Sequence, residues 1–437
     1  MNVCVFGLWH LGSVTAACVA EHFPTVGLDS DEAVVAALQD GRPPISEPGL
    51  PELVRQGLAS GRLQFTSDLG RVAAADLVWV TFDTPVNQDD EADVEHVVRR
   101  VESLFPWLAN GAVVLISSQV PVGTTARLER AFAALADGRE IAFAYSPENL
   151  RLGKALEVFR KADRIVVGTR SARARARIDE LLAPLGRPIQ WMGVESAEMT
   201  KHAVNAFLAT SVVFINEIAA ACEATGADAK EVERGLKSET RIGPGAYLGP
   251  GAAFAGGTLA RDIAFLLGIG ERSGIATPLF AGVKQSNDVH RLWARRRLGE
   301  LLGTLNGKTI AVLGLTYKAN TDTLRRSESV ALCAWLIQQG ATVRAHDPAI
   351  REKSAELPDG LVLSDNTDDA IRDADAIVVA TEWPAFRELS ADRIAGLLSA
   401  GERRPLVLDA NRFLAGNLAA DARLQYLAVG APAQDRS

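Results

Sequence analysis

Asn2-Val3-Cys4-Val5-Phe6-Gly7-Leu8-Trp9-His10-Leu11-Gly12 opens the chain, and small residues follow over 13–21 before Thr25-Val26-Gly27-Leu28-Asp29. An apolar run, a glycine turn, a small-residue helix and a second apolar run ending in an acid is the order of a dinucleotide-binding unit. In such a unit the glycine turn lets backbone N–H groups and a helix N-terminus approach a pyrophosphate, while the acid after the second strand holds a ribose diol. Gly7, Gly12 and Asp29 fit these roles. The middle glycine of the G-x-G-x-x-G pattern is missing, because Trp9 stands where the backbone would have to come close to the phosphates. The competing reading is a tight turn in a doubly wound sheet without cofactor. Asp29 favours NAD over NADP, since a carboxylate repels a 2′-phosphate.

Further apolar runs at 77–81, 112–116, 141–144 and 164–168 alternate with helical stretches, which predicts a parallel sheet with helices on both faces as far as about residue 190. From Ser196 to about Thr225 there is no proline or glycine, and apolar residues recur at helical spacing. That predicts one helix about 45 Å long, which connects domains and offers a face to another subunit. Gly243-Pro244-Gly245 and Gly249-Pro250-Gly251 mark an irregular loop, after which 262–303 returns to helical periodicity. A second strand-turn-helix-strand unit starts at Lys308: Thr309 to Leu313, Gly314-Leu315-Thr316-Tyr317-Lys318, a helix over about 327–339, then Ala341 to Asp347. Strand candidates follow at 375–380 and 405–409, and residues from about 428 to 437 read as a frayed tail. The division is 1–195, 196–304 and 305–437, in the α/β class.

Composition sets the outer limits. The chain has 437 residues, 48% hydrophobic and 23% charged, enough for two to four domains at roughly 100–200 residues each. Its 46 basic residues face 54 acidic ones, for a formal charge of −8, and form no long run, so no nucleic-acid footprint is visible. No stretch is expected to reach the ~20 apolar residues of a membrane helix, and no export signal is read at the N-terminus. The expectation is therefore a cytoplasmic protein with no membrane partner. Cys4, Cys18, Cys222 and Cys333 lack ligand spacing and read as buried, reduced thiols, and no metal is expected. His10, His202, His290 and His346 are too scattered for a metal or a triad; only His10, at the phosphate turn, stands apart.

Several segments match one family in order. They are Pro44-Ile45-Ser46-Glu47-Pro48-Gly49-Leu50, Thr84-Pro85, Val120-Pro121-Val122-Gly123-Thr124-Thr125 and Ser146-Pro147-Glu148-Asn149-Leu150-Arg151. Lys201 to Ala209, Phe214-Ile215-Asn216-Glu217, Arg241-Ile242-Gly243, Gly249-Pro250-Gly251 and Gly314 to Asp322 continue the series. Over nearly its whole length the chain resembles the UDP-glucose/GDP-mannose dehydrogenase family. The resemblance implies two Rossmann-like doubly wound domains joined by a long central helix and a helical dimerisation region. It also implies NAD as cofactor, a UDP- or GDP-sugar as substrate, and a homodimer or higher homo-oligomer. The family reaction oxidises a sugar C6 alcohol to a carboxylate in two hydride transfers, through a thioester on an active-site cysteine.

That cysteine sits in a Gly-Gly-Ser-Cys-Phe-Pro-Lys-Asp motif, and the stretch here, aligned on the closing aspartate, is Gly256-Gly257-Thr258-Leu259-Ala260-Arg261-Asp262. Thr258 takes the place of the nucleophile. A thiolate is reachable near neutral pH because a cysteine pKa starts at about 8.5, whereas a threonine hydroxyl has no comparable anion. The family's catalytic threonine becomes Gln119, and in its Pro-Glu-Phe-Leu-Arg-Glu-Gly motif the phenylalanine becomes Asn149 and the second glutamate Leu152. No other cysteine looks placed to substitute. Cys222 lies on the same predicted helix as Lys201 but about 31 Å further along it.

By the same resemblance, Lys201 and Asn205 surround the oxyanion and a water, Asp262 positions that water, and Glu148 is retained; with Thr258 these are the candidate catalytic residues. Gly7, Gly12, Asp29, Thr84, Arg261 and Arg325 are assigned to the cofactor, and Arg241 and Lys318 to the nucleotide sugar, Arg241 from the partner subunit. Each has a plainer reading: Lys201 a solvated helix lysine, Asn205 a packing amide, Asp262 the cap of the helix after it, Glu148 and the other cations surface charges. The leading expectation is an NAD-dependent oxidoreductase that stops at a two-electron alcohol/carbonyl step or oxidises transiently. The alternatives are an inactive nucleotide-sugar- or partner-binding homologue, and a conventional 6-dehydrogenase giving a uronic acid.

Overall fold

The computed structural model describes residues 1–85, 92–148, 150–255, 257–398 and 404–432. Asn149 and Gly256, and residues 433–437 of the expected tail, lie outside the described residues. Two compact units divide the chain, Met1–Val204 and Asn205–Ser437.

Among the described residues the first unit holds eight strands: β1 Val3–Phe6, β2 Thr25–Leu28, β3 Leu63–Thr66, β4 Leu77–Val80, β5 Val113–Ile116, β6 Ala142–Tyr145, β7 Ile165–Thr169 and β8 Ile189–Met192. Their order in the sheet is β3-β2-β1-β4-β5-β6-β7-β8. β1, β4 and β5 are buried at every position, as strands covered by helices on both faces must be. Alternate side chains feed two separate cores: Val3, Val5, Trp79 and Leu115 on one face, Cys4, Phe6, Val80 and Ile116 on the other. The strand order reverses at β1, where β2 and β4 lie on either side, and a crevice at the carboxyl ends of such strands is where open α/β sheets bind ligands. The expected all-parallel sheet needs one correction, since β6 and β7 pair antiparallel.

The second unit carries β9 Thr309–Leu313, β10 Thr342–His346, β11 Val362–Leu363, β12 Ala376–Val379, β13 Leu406–Asp409 and β14 Gln425–Leu427, ordered β11-β10-β9-β12-β13-β14. Each of these strands pairs parallel with its neighbours. Helices Thr258–Ser273, Pro278–His290 and Trp293–Leu302 precede this sheet in the chain. Ala219, Cys222, Ala229, Trp293 and Leu298 share one core with Val312, Leu332 and Leu408, which ties the end of the long helix and the 293–302 helix to the second sheet. The fold is thus α/β, with two parallel-sheet Rossmann-like portions and a long central helix.

That helix runs from Val194 to Thr225. Contrary to the expectation from sequence, it is long and apolar enough to cross a membrane by length and composition, with a mean hydropathy of 1.6 over its most apolar window. Ala206, Ala209, Val213, Ile215 and Ala219 on it are nonetheless buried against the protein. The tail reading also begins too early. Ala428 and Val429 are buried, and a Cβ on Gly430 would fall 2.3 Å from the Ala229 side chain, so the chain is still packed there.

Candidate functional site

The first turn is built around two glycines that tolerate no side chain. Gly7 has φ +99°, and a Cβ there would stand 2.8 Å from the Phe82 ring. A Cβ on Gly12 would fall 1.6 Å from the Gly7 carbonyl oxygen, so only glycine lets helix His10–Val19 close onto β1. Thr81 Oγ1 donates to that same carbonyl at 2.7 Å. Trp9 occupies the N-cap position with extended backbone and no side-chain cap, and 46% of it is exposed, so its indole is not buried in the turn. Asp29 Oδ2 accepts the Leu8 N–H at 2.7 Å and its Oδ1 accepts the Asp31 N–H at 3.1 Å. Each oxygen keeps a second lone pair for a ribose hydroxyl. A cradle that a Cβ would fill, an uncapped helix N-terminus and a half-exposed acid suit a dinucleotide.

His10, singled out in the sequence, is tied down: its Nε2 lies 3.1 Å from Glu47 Oε2. Glu47 is itself buried and accepts the N–H groups of Gly153 and Ala155, both at 2.8 Å. The Pro44–Leu50 segment therefore links the phosphate turn to the start of helix Ala155–Arg160, a role that the motif alone did not disclose.

Thr84 is buried and donates to the Gln119 carbonyl at 2.5 Å, holding the loop after β5. The beginning of the long helix pins the same loop. Glu198 accepts the N–H groups of Gly123 at 2.6 Å and Thr125 at 2.9 Å, and His202 Nε2 lies 3.1 Å from the Val120 carbonyl oxygen. Glu198 thereby serves the N-terminus of helix Thr124–Ala133, whose own N-cap, Gly123, has no side chain to do so. Burial pushes its carboxyl above the usual value, partly offset by those two N–H groups. Sequence reasoning passed over Glu198; an acid three residues before Lys201 near the start of the predicted helix was the available signal.

Lys201 is buried, so the solvated-lysine reading fails. Its Nζ donates to the Glu148 carbonyl at 2.6 Å and to Glu148 Oε1 at 3.2 Å. Glu148 Oε2 accepts the Leu150 N–H at 2.9 Å, which fixes the carboxylate from its other side. In the second unit, Asn205 Nδ2 donates to Asp262 Oδ2, and Asp262 is fully buried. The capping alternative for Asp262 is overturned. Its helix starts at Thr258 with Gly257 as N-cap, so Asp262 lies one turn inside. Thr258 is the first helical residue and is exposed. All four cysteines are buried, and burial pushes the thiols of Cys4, Cys18 and Cys333 up to about 12, far from a reactive thiolate.

The cationic candidates differ in exposure. Arg241 is exposed and pairs with Glu239 at 3.0 Å; Lys318 and Arg325 are exposed and Arg261 half-buried. Arg326, unremarked in the sequence, has φ +60° and places its guanidinium 3.9 Å from where a Cβ of Gly257 would stand. In the second sheet the counterpart of Asp29 is spent internally: Asp347 Oδ2 accepts from the N–H groups of Leu315 and Thr316, the Thr316 hydroxyl and Trp383 Nε1.

Two doubly wound sheets, one with a dinucleotide turn, a part-buried Lys–Glu pair and a buried Asn–Asp pair make up the architecture of a dehydrogenase. Residues 1–186 match the NAD binding domain of the UDP-glucose/GDP-mannose dehydrogenase family, 195–289 its central domain and 311–416 its UDP binding domain. The UDP-glucose 6-dehydrogenase of Pseudomonas aeruginosa is 36% identical over 99% of this chain and 98% of its own length. The UDP-glucose 6-dehydrogenase TuaD of Bacillus subtilis is 34% identical over 99% of this chain and 94% of its own length. A solved UDP-glucose dehydrogenase from Pyrobaculum islandicum superposes with a TM-score of 0.87 at 31% identity, covering 98% of each chain. The chain belongs to the UDP-glucose/GDP-mannose dehydrogenase family, whose members are NAD-dependent oxidoreductases acting on nucleotide sugars.

Proposed function

We propose that this chain takes NAD in residues 1–195 and a UDP- or GDP-sugar chiefly in residues 305–437, and that it carries the sugar only through a two-electron alcohol/carbonyl step. The observation that carries this reading is Thr258 at the first turn of the 258–273 helix, one turn before the buried Asp262, where the family motif has its thiol. NAD, when bound, supplies a hydride acceptor. The chain's own residues deal with the proton and the developing charge. Lys201, held by Glu148, stabilises an alkoxide. Asp262, held by Asn205, takes the hydroxyl proton through a water. The C–H bond gives up a hydride, the O–H bond a proton, and a carbonyl remains. Thr258 presents a neutral, branched hydroxyl that does not retain this carbonyl as a covalent adduct, so the second oxidation lacks its acyl carrier.

Exposed Phe207 and Phe214 on the long helix support a second copy of the chain as partner. Departures at Trp9, Gln119, Leu152 and Thr258 favour one rival, a nucleotide-sugar-binding homologue without turnover. The test is to incubate the chain with NAD and a panel of UDP- and GDP-sugars. One NADH per sugar with a carbonyl product, or scrambled stereochemistry without net NADH, is expected. Two NADH per sugar with carboxylate refutes the reading, and tight NAD binding with no turnover establishes the rival.

A further inference from the structure

The loop leading to the 258–273 helix is held by side chains rather than by a sheet. Gly251 N–H donates to Asn216 Oδ1 at 3.1 Å, and Asn216 Nδ2 donates to the Ala252 carbonyl at 3.4 Å. Ala252 N–H donates to Asn411 Oδ1 at 2.7 Å. Asn287 engages both polar groups of Phe254, accepting its N–H at 3.0 Å and donating to its carbonyl at 2.8 Å. His290 Nε2 reaches the Gly251 carbonyl oxygen at 2.8 Å. The four side chains come from three elements: the long helix, the 278–290 helix, and the segment just after β13.

Asn216 and Asn287 are 3% and 5% exposed. Burying amides is costly unless their hydrogen bonds are made, and here the bonds made are to an irregular backbone rather than to a neighbouring polar network. Gly251 is part of the arrangement, because a Cβ on it would stand 2.2 Å from Asn411 Oδ1. A loop so fully tied has one position, and the helix it feeds starts only a few residues later.

We infer that Asn216, Asn287, His290 and Asn411 are positioning residues for the dehydrogenation: they hold the 251–254 loop and so set where the 258–273 helix presents Thr258 and Asp262. This inference rests on the reaction proposed above. The four act through the loop, and a displacement of about 1 Å at a reacting centre can cost on the order of a hundredfold in rate.

The test compares His290→Leu, which removes the donor to Gly251, with His290→Gln, which can restore it. Steady-state kinetics of NADH formation and hydrogen exchange over residues 251–262 are the readouts. His290→Leu is expected to speed loop exchange and lower kcat about tenfold, with sugar KM and NAD affinity within about twofold of wild type. His290→Gln should recover most of both. If His290→Leu does not fold, Asn216→Ala, which frees Gly251 N–H and the Ala252 carbonyl, is read in the same way. Faster loop exchange with unchanged kcat, or no recovery in a folded His290→Gln, overturns the inference alone. A wild-type chain without turnover on any nucleotide sugar overturns the reaction first and this role with it.

Discussion

A hydroxyl and a thiol of similar reach differ in the anion they form, and in the reaction proposed above that difference at position 258 sets how many electrons leave the sugar. Thr258 is exposed and stands at a helix N-terminus, a setting that lowers a thiol pKa. Thr258→Cys is therefore expected to raise the NADH yield from one towards two per sugar, with carboxylate appearing, read by product analysis after complete conversion. An unchanged yield would place the block elsewhere, at Gln119 or Leu152. Lys201 and Asn205 stand out in the sequence through their match to the family segment, and their spacing of four puts them on one helix face. What each touches was not legible there. Glu148 lies 53 positions from Lys201 and Asp262 lies 57 from Asn205, and no periodicity links such separations.

Among the elements, the turn between β1 and helix His10–Val19 is the most constrained. Gly12→Ala would drive a methyl to within 1.6 Å of the Gly7 carbonyl, and neither backbone can yield without breaking the sheet register. The expected result is a loss of roughly 3 kcal/mol or more in unfolding free energy, measured by urea titration, together with loss of NAD binding. The strands read correctly from sequence were those with apolar residues on both faces, such as β1, β4, β5, β9 and β12. Those passed over, β3, β8, β11 and β14, are the outer strands of the two sheets. An edge strand is covered less completely; in Leu63-Gln64-Phe65-Thr66, buried Leu63 and Phe65 alternate with an exposed Gln64 and a half-buried Thr66. Such a stretch forms no apolar run. The antiparallel β6–β7 pair escaped because side-chain alternation is the same in either direction.

At the scale of the whole molecule, a half-buried histidine and a buried glutamate give the units opposite responses to acid. In the second unit, burial and nearby Arg296 hold His290 below the usual histidine value of 6.5, against the Gly251 hydrogen bond and Glu223. Its contribution to stability is present above the unfolded value and is lost as pH falls through the folded one. In the first unit, Glu198 is raised by burial, with a small push from Glu195. Its contribution is complete below the usual value of 4.5 and is lost as pH rises through the folded one. Between pH 7 and 5, unfolding free energy should therefore decline in part through His290. His290→Gln should remove a slope of at most about 1.4 kcal/mol per pH unit, measured by urea titration at each pH.

The amino-acid order alone determined the two strand-turn-helix-strand units, the long central helix, the glycine turn and the absence of sulfur at position 258. These are properties of short stretches, written in local periodicity, glycine placement and residue chemistry. Only the tertiary structure decided that Glu198 and His202 grip the 120–125 loop, that Asp347 is consumed by its own turn, and that three asparagines and a histidine hold residues 251–254. Each of those facts depends on groups brought together from distant parts of the chain, where burial makes an unpaired polar atom expensive and so selects one partner among many.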